Sequence, residues 1–177
     1  MKRILVFIFC LVIGLTGCIG INWRHVDLNT ERNNKVNNSF GNDQLDVAVR
    51  EYLESQPNFA WQTVDGSTNI CVFDKLDNND LFPHYLWVRC GEFALKDGKV
   101  EELSGSSLPA RIDYPNELSF FDLSKFSHQI PGDGSLYTPD IRKIFPVELQ
   151  DLVLEYDATV INEIIMDTAE MAMQKIK

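Results

Sequence analysis

From Asp43 onward, apolar and polar residues follow two different periods. Leu45, Val49, Tyr52 and Leu53 recur at three- and four-residue spacing, which predicts a helix over 43–55. Asn42 or Asp43 supplies a capping side chain at its start, and Pro57 stops it. The middle of the chain reads as strand. Residues 69–73 form a short β-rich run, and residues 84–95 a longer one, dense in aromatic and β-branched side chains. Asp97-Gly98 between Lys96 and Lys99 is a two-residue hairpin signal, so 99–103 should return antiparallel. The Ser-Gly-Ser-Ser run at 104–107 predicts a bulge or loop, after which 109–114 resumes the sheet.

Helical spacing returns near the end. Pro139 opens a short segment with Ile141, Ile144 and Phe145, and Pro146 suits the first turn of a second, with Leu149, Leu152 and Val153. Over 157–176, Val160, Ile161, Ile164, Ile165, Ala169 and Ala172 make an apolar stripe of period near 3.6. No internal repeat is visible. The predicted fold is α+β: an N-terminal helix, an antiparallel sheet of three to five strands, and C-terminal helices packed on one face. Element order alone suggests a small helix-on-sheet arrangement of the cystatin kind.

Before Asp43 the pattern is different. Residues 19–42 hold seven Asn and show little apolar periodicity, as a tether does. Lys2 and Arg3 precede the apolar run Ile4-Leu5-Val6-Phe7-Ile8-Phe9-Cys10-Leu11-Val12-Ile13, and small residues close it. That is the layout of a secretory signal peptide, and it is shorter than the ~20 apolar residues of a spanning helix. Its last four residues, Leu15-Thr16-Gly17-Cys18, resemble the lipobox of bacterial lipoproteins. The resemblance covers residues 1–18 alone. It implies a diacylglycerol on the Cys18 thiol, cleavage before Cys18 and acylation of the new amine, with two or three acyl chains holding the protein to a membrane. Ile19 stands where Asp would favour inner-membrane retention, which leans toward the outer membrane of a Gram-negative envelope. The expected organisation is a signal peptide at 1–17, a lipidated Cys and tether at 18–42, and one globular domain at 43–177.

Charge narrows the partners. The chain carries 16 basic and 26 acidic residues, a net charge of −10 that becomes −12 once Lys2 and Arg3 leave with the signal. Such a surface repels nucleic acid and anionic headgroups, so lipid rather than a basic patch must hold the protein at the bilayer. Of the four cysteines, Cys10 departs with the signal and Cys18 takes lipid. Cys71 and Cys90 remain, and in an oxidising compartment they read as a disulfide between consecutive strands.

Candidate chemistry is sparse. His25, His84 and His128 have no partners at metal-ligand spacing. Asp74, Asp77 and Asp80 cluster oxygen ligands but lack the spacing and glycine of a calcium loop. Residues 131–135, with Asp133 and Ser135, form a glycine-rich turn that matches neither a P-loop nor a nucleophile elbow. Ser106 and Ser107 lie beside Gly105 without such a setting either. Among the aromatics Trp61, Tyr85, Trp87, Phe120 and Phe121, an exposed pair beside the sheet would suit a hydrophobic or peptide ligand. Tyr85, Trp87 and Asp133 are therefore the candidate binding residues. Neither a metal nor a cofactor is expected. The leading expectation is a non-catalytic binding or assembly module of the cell envelope, using a sheet face or an edge strand against a protein or peptide. The alternative is a lipid-anchored hydrolase whose site gathers His84, His128, Asp133 and Ser135.

Overall fold

A computed structural model describes residues 44–79, 81–115 and 121–174. The signal segment, the tether with His25, Cys18, Asp80 and Phe120 lie outside the described residues. Helix α1 spans Gln44–Ser55. Strands β1 (Thr68–Lys75), β2 (His84–Lys96), β3 (Lys99–Asp113) and β4 (Ser127–Gln129) follow, then α2 (Tyr137–Ile144), α3 (Val147–Leu154) and α4 (Thr159–Gln174). The strands form one antiparallel sheet in the order β1-β2-β3-β4. The expected α+β class, N-terminal helix, strand number and C-terminal helices are all present.

Alternation along the strands divides the sheet into two apolar faces. Cys71, Phe73, Leu86, Val88, Cys90, Ala110 and Ile112 point toward Ala48, Val49, Tyr52 and Leu53 of α1. Ile70, Val72, Trp87 and Phe93 point the other way, toward Ile141 and Ile144 of α2, Val153 of α3, and Ile161, Ile165 and Ala169 of α4. The C-terminal helices thus cover one face and α1 the other, so the sheet is the middle of three layers. This goes beyond a helix on one side of a sheet. Ile161 and Ile165 are fully buried, each stabilising the fold by about 1.5–3 kcal/mol through burial.

Helix α1 also guards the outer edge of β1. Asp46 near its start pairs with Lys75 at 2.7 Å, and Glu54 near its end accepts the Cys71 N–H at 3.0 Å. Desolvation raises the Glu54 pKa, against the lowering effect of that bond. A backbone donor that would otherwise invite a foreign strand is capped.

The Asp97-Gly98 turn forms as predicted, both residues at positive φ (51° and 78°) and Lys96 paired with Lys99. The interruption expected at 104–107 is absent. Strand β3 runs unbroken through it, and the irregularity falls one residue earlier: Phe93 faces Glu102 and Glu92 faces Ser104, leaving Leu103 as the extra residue of a bulge. Small residues are required there for a different reason. Gly91 and Gly105 oppose each other, and side chains on them would strike the Phe93 ring and the Arg89–Glu102 ion pair. Strand β4 was not foreseen. Its three residues, Ser-His-Gln, have no apolar alternation, and pairing with Arg111–Asp113 of β3 defines it.

Candidate functional site

Cys71 and Cys90 stand directly opposite each other on β1 and β2, with Cα atoms 4.1 Å apart, and are joined as a disulfide. Both are fully buried. A close Cα pair that leaves the Cys71 N–H pointing outward to Glu54 is the non-hydrogen-bonded position of an antiparallel ladder.

His128 lies on β4, opposite Ile112 of β3. Its Nδ1 is 2.7 Å from the Tyr52 hydroxyl, and its Nε2 is 3.1 Å from the Asn58 amide nitrogen. Phe59 meets the ring edge-on at 4.9 Å. If Asn58 donates to Nε2, the proton sits on Nδ1 and is donated to Tyr52, a neutral imidazole with both nitrogens used. Desolvation lowers the His128 pKa, in keeping with that neutral form. Beside it opens a cleft of about 390 Å³, lined by Asn58, His128, Gln129, Asp140 and Lys143, with Ile130 and Ile144 as its apolar part. Asp140 is fixed by the Gly132 N–H, which donates to its Oδ2 at 2.9 Å.

The other residues singled out from sequence fall elsewhere. His84 opens β2 at 1 % exposure, packed against Phe82 with ring centres 4.3 Å apart. It faces Ile112 from the side opposite His128, so the two histidines sit two strands apart, about 10 Å. Asp133 and Ser135 are exposed on the turn before α2, and neither lines the cleft. Of the four groups of the hydrolase alternative, only His128 lines this cleft. Trp87 is buried, stacked on Tyr156 at 4.2 Å and donating from Nε1 to the Ser107 hydroxyl at 3.0 Å. Tyr85 is half-buried against Phe145. Both rings serve the core beneath the C-terminal helices rather than an open aromatic pair. Asp74 is buried and accepts the Tyr156 hydroxyl at 3.1 Å. Among the described residues, no three His, Cys, Asp or Glu side chains gather as metal ligands.

One polar cluster escaped sequence reasoning altogether. Glu92 of β2 is 1 % exposed. Its carboxylate accepts the Thr63 N–H at 2.7 Å, the Val64 N–H at 3.0 Å, and the hydroxyls of Thr63 at 2.6 Å and Ser104 at 3.0 Å. The Ser67 hydroxyl lies 2.6 Å both from Glu92 and from the Val64 carbonyl and shares its one proton between them. Burial opposes the charge, but hydrogen bonds from Ser67, Thr63 and Val64 outweigh it and hold the carboxyl at about 2. The cluster ties the loop between α1 and β1 onto the sheet. It is a structural clamp, since every oxygen is already engaged. A lone Glu in an apolar strand was its only trace in the sequence.

No protein-family model matches the chain, nor does any curated protein sequence or solved structure. Among the described residues, no helix is long and apolar enough to cross a membrane.

Proposed function

We propose that this protein is a lipid-anchored module of the bacterial cell envelope, held through acyl chains on Cys18, that binds or assembles with an envelope protein or peptide and performs no catalysis. The observation that carries the reading is the buried Cys71–Cys90 disulfide. Such a cross-link persists outside the reducing cytoplasm, so it supports export on grounds independent of residues 1–18. The segment Leu15-Thr16-Gly17-Cys18 supplies the anchor, and Ile19 favours the outer membrane where there is one. That only His128 of His84, His128, Asp133 and Ser135 lines the cleft favours binding over hydrolysis.

Intact-mass and N-terminal analysis of the protein from its own cells tests this. The mature chain should begin at Cys18, carry a glyceride with its acyl chains, and sediment with membranes. A mature terminus elsewhere, or a bare Cys18 thiol, overturns the proposal.

A further inference from the structure

Strand β4 ends the sheet, so among the described residues no strand pairs with its outer edge. The cleft beside it has walls on both faces of the sheet. His128, held between Tyr52 and Asn58, belongs to the α1 face. Asp140 and Lys143 belong to α2, whose Ile141 and Ile144 pack on the opposite face. We propose that this cleft takes an extended peptide that adds a strand to β4 and carries one cationic and one anionic side chain two residues apart. The inference deepens the binding role proposed above and rests on it for the partner being a peptide or protein segment.

Three observations converge on that ligand. Charge is the first. Neither Asp140 nor Lys143 takes part in a close ion pair among the described residues, so the cleft presents one carboxylate and one ammonium, each with room for an oppositely charged ligand group. Spacing is the second. Three residues apart on a helix, their Cβ atoms are about 5–6 Å from each other. Side chains i and i+2 of a strand leave the same face about 6.6 Å apart. One added strand therefore sets a cation against Asp140 and an anion against Lys143 while its backbone pairs with β4. The intervening side chain turns to the other wall, where the Asn58 amide offers hydrogen bonds beside the engaged His128 ring. Preorganisation is the third. Gly132 fixes Asp140, and Tyr52, Asn58 and Phe59 fix His128, so little ordering cost falls on binding.

The test pans a random seven-residue peptide library against the mature lipidated protein in nanodiscs. Enriched peptides should carry opposite charges at i and i+2, and methylation of the intervening backbone nitrogen should abolish their binding. Lys143→Gln and Asp140→Asn should each raise Kd about three- to fivefold, as expected of a partly exposed ion pair. The double exchange Asp140→Lys with Lys143→Asp should reverse the preferred charge order. Should that variant fail to fold because Gly132 loses its acceptor, Lys143→Asp alone should still select a cation in place of the anion. No enrichment, binding that survives N-methylation, or a charge order indifferent to these exchanges overturns the inference. The mass of the same sample reads the anchor separately: peptide binding by a chain without lipid sinks the envelope reading alone, and lipid without peptide binding sinks this one alone.

Discussion

Reduction of the Cys71–Cys90 bond is the sharpest perturbation this fold offers. The bond closes a loop of sequence separation 19 between adjacent strands. Loop-closure entropy for that length gives about 3 kcal/mol of stabilisation, exerted on the unfolded chain. An unfolding entropy of about 2.1 cal/mol/K per residue, over the roughly 125 described residues, amounts to about 0.26 kcal/mol/K. The reduced protein should therefore melt about 11 °C lower than the oxidised one. Two further consequences separate this cause from simple loss of packing. The cross-linked unfolded chain exposes less surface, so the urea m-value should rise on reduction. Both sulfurs are fully buried, so a thiol reductant should attack only after β1 parts from β2, and native-state reduction should be slow against reduction in denaturant. Thermal melts and urea titrations of oxidised and reduced wild type, with redox state read from intact mass, decide it. Coincident melting temperatures for samples proven to differ by two hydrogens would refute the reasoning. The magnitude also bears on location. A loss of about 3 kcal/mol is about two powers of ten in the folded-to-unfolded ratio, so this chain gains much of its stability only where thiols oxidise.

Other expectations follow from the same geometry. The Glu92 carboxyl is held at about 2, below its unfolded value, so its stabilising effect is whole above about pH 4.3 and fades as pH falls toward 2. Glu92→Gln should lower the melting temperature at pH 7 and flatten its fall on acidification, and parallel pH curves for the two proteins would refute the clamp. His128, its pKa lowered by desolvation, should titrate by NMR with a midpoint below 6.5. The unfolded imidazole then takes its proton first, so His128 makes the fold lose stability as pH drops below 6.5; a midpoint above 6.5 would contradict the buried neutral ring. Ile165→Ala, in fully buried α4 packing, should cost about 2–5 kcal/mol in urea unfolding, and a cost under about 1 kcal/mol would mean that α4 is not docked as described.

Elements whose signals are local were legible in the sequence. The hairpin turn needed only Asp97-Gly98, and α1 needed only its apolar spacing and Pro57. The long strands announced themselves through β-branched and aromatic runs, and the expectation of an oxidising compartment was enough to pair Cys71 with Cys90. Where a residue's meaning depends on what lies opposite it, sequence reading misplaced it. The Ser-Gly-Ser-Ser run looked like a break, yet it is a strand in which Ser104 serves Glu92, Ser106 donates to the Phe59 carbonyl, Ser107 accepts from Trp87 and Gly105 clears Arg89. Tyr85 and Trp87 looked available because a strand shows alternation without showing which face α4 and Tyr156 will cover.

The candidate cleft illustrates the same limit most fully. Its walls come from the turn after α1, from β4 with the residue that follows it, and from α2, segments whose proximity no periodicity encodes. His128 drew attention as a titratable group, but its two ring nitrogens are spent on Tyr52 and Asn58. A histidine so engaged is a poor general base, because taking a proton from substrate would first break a bond that positions the ring. The same engagement makes it a good wall. With a strand edge that no described strand pairs and two charges outside any close ion pair among the described residues, that rigidity fits the proposed recognition of a main chain better than bond breaking.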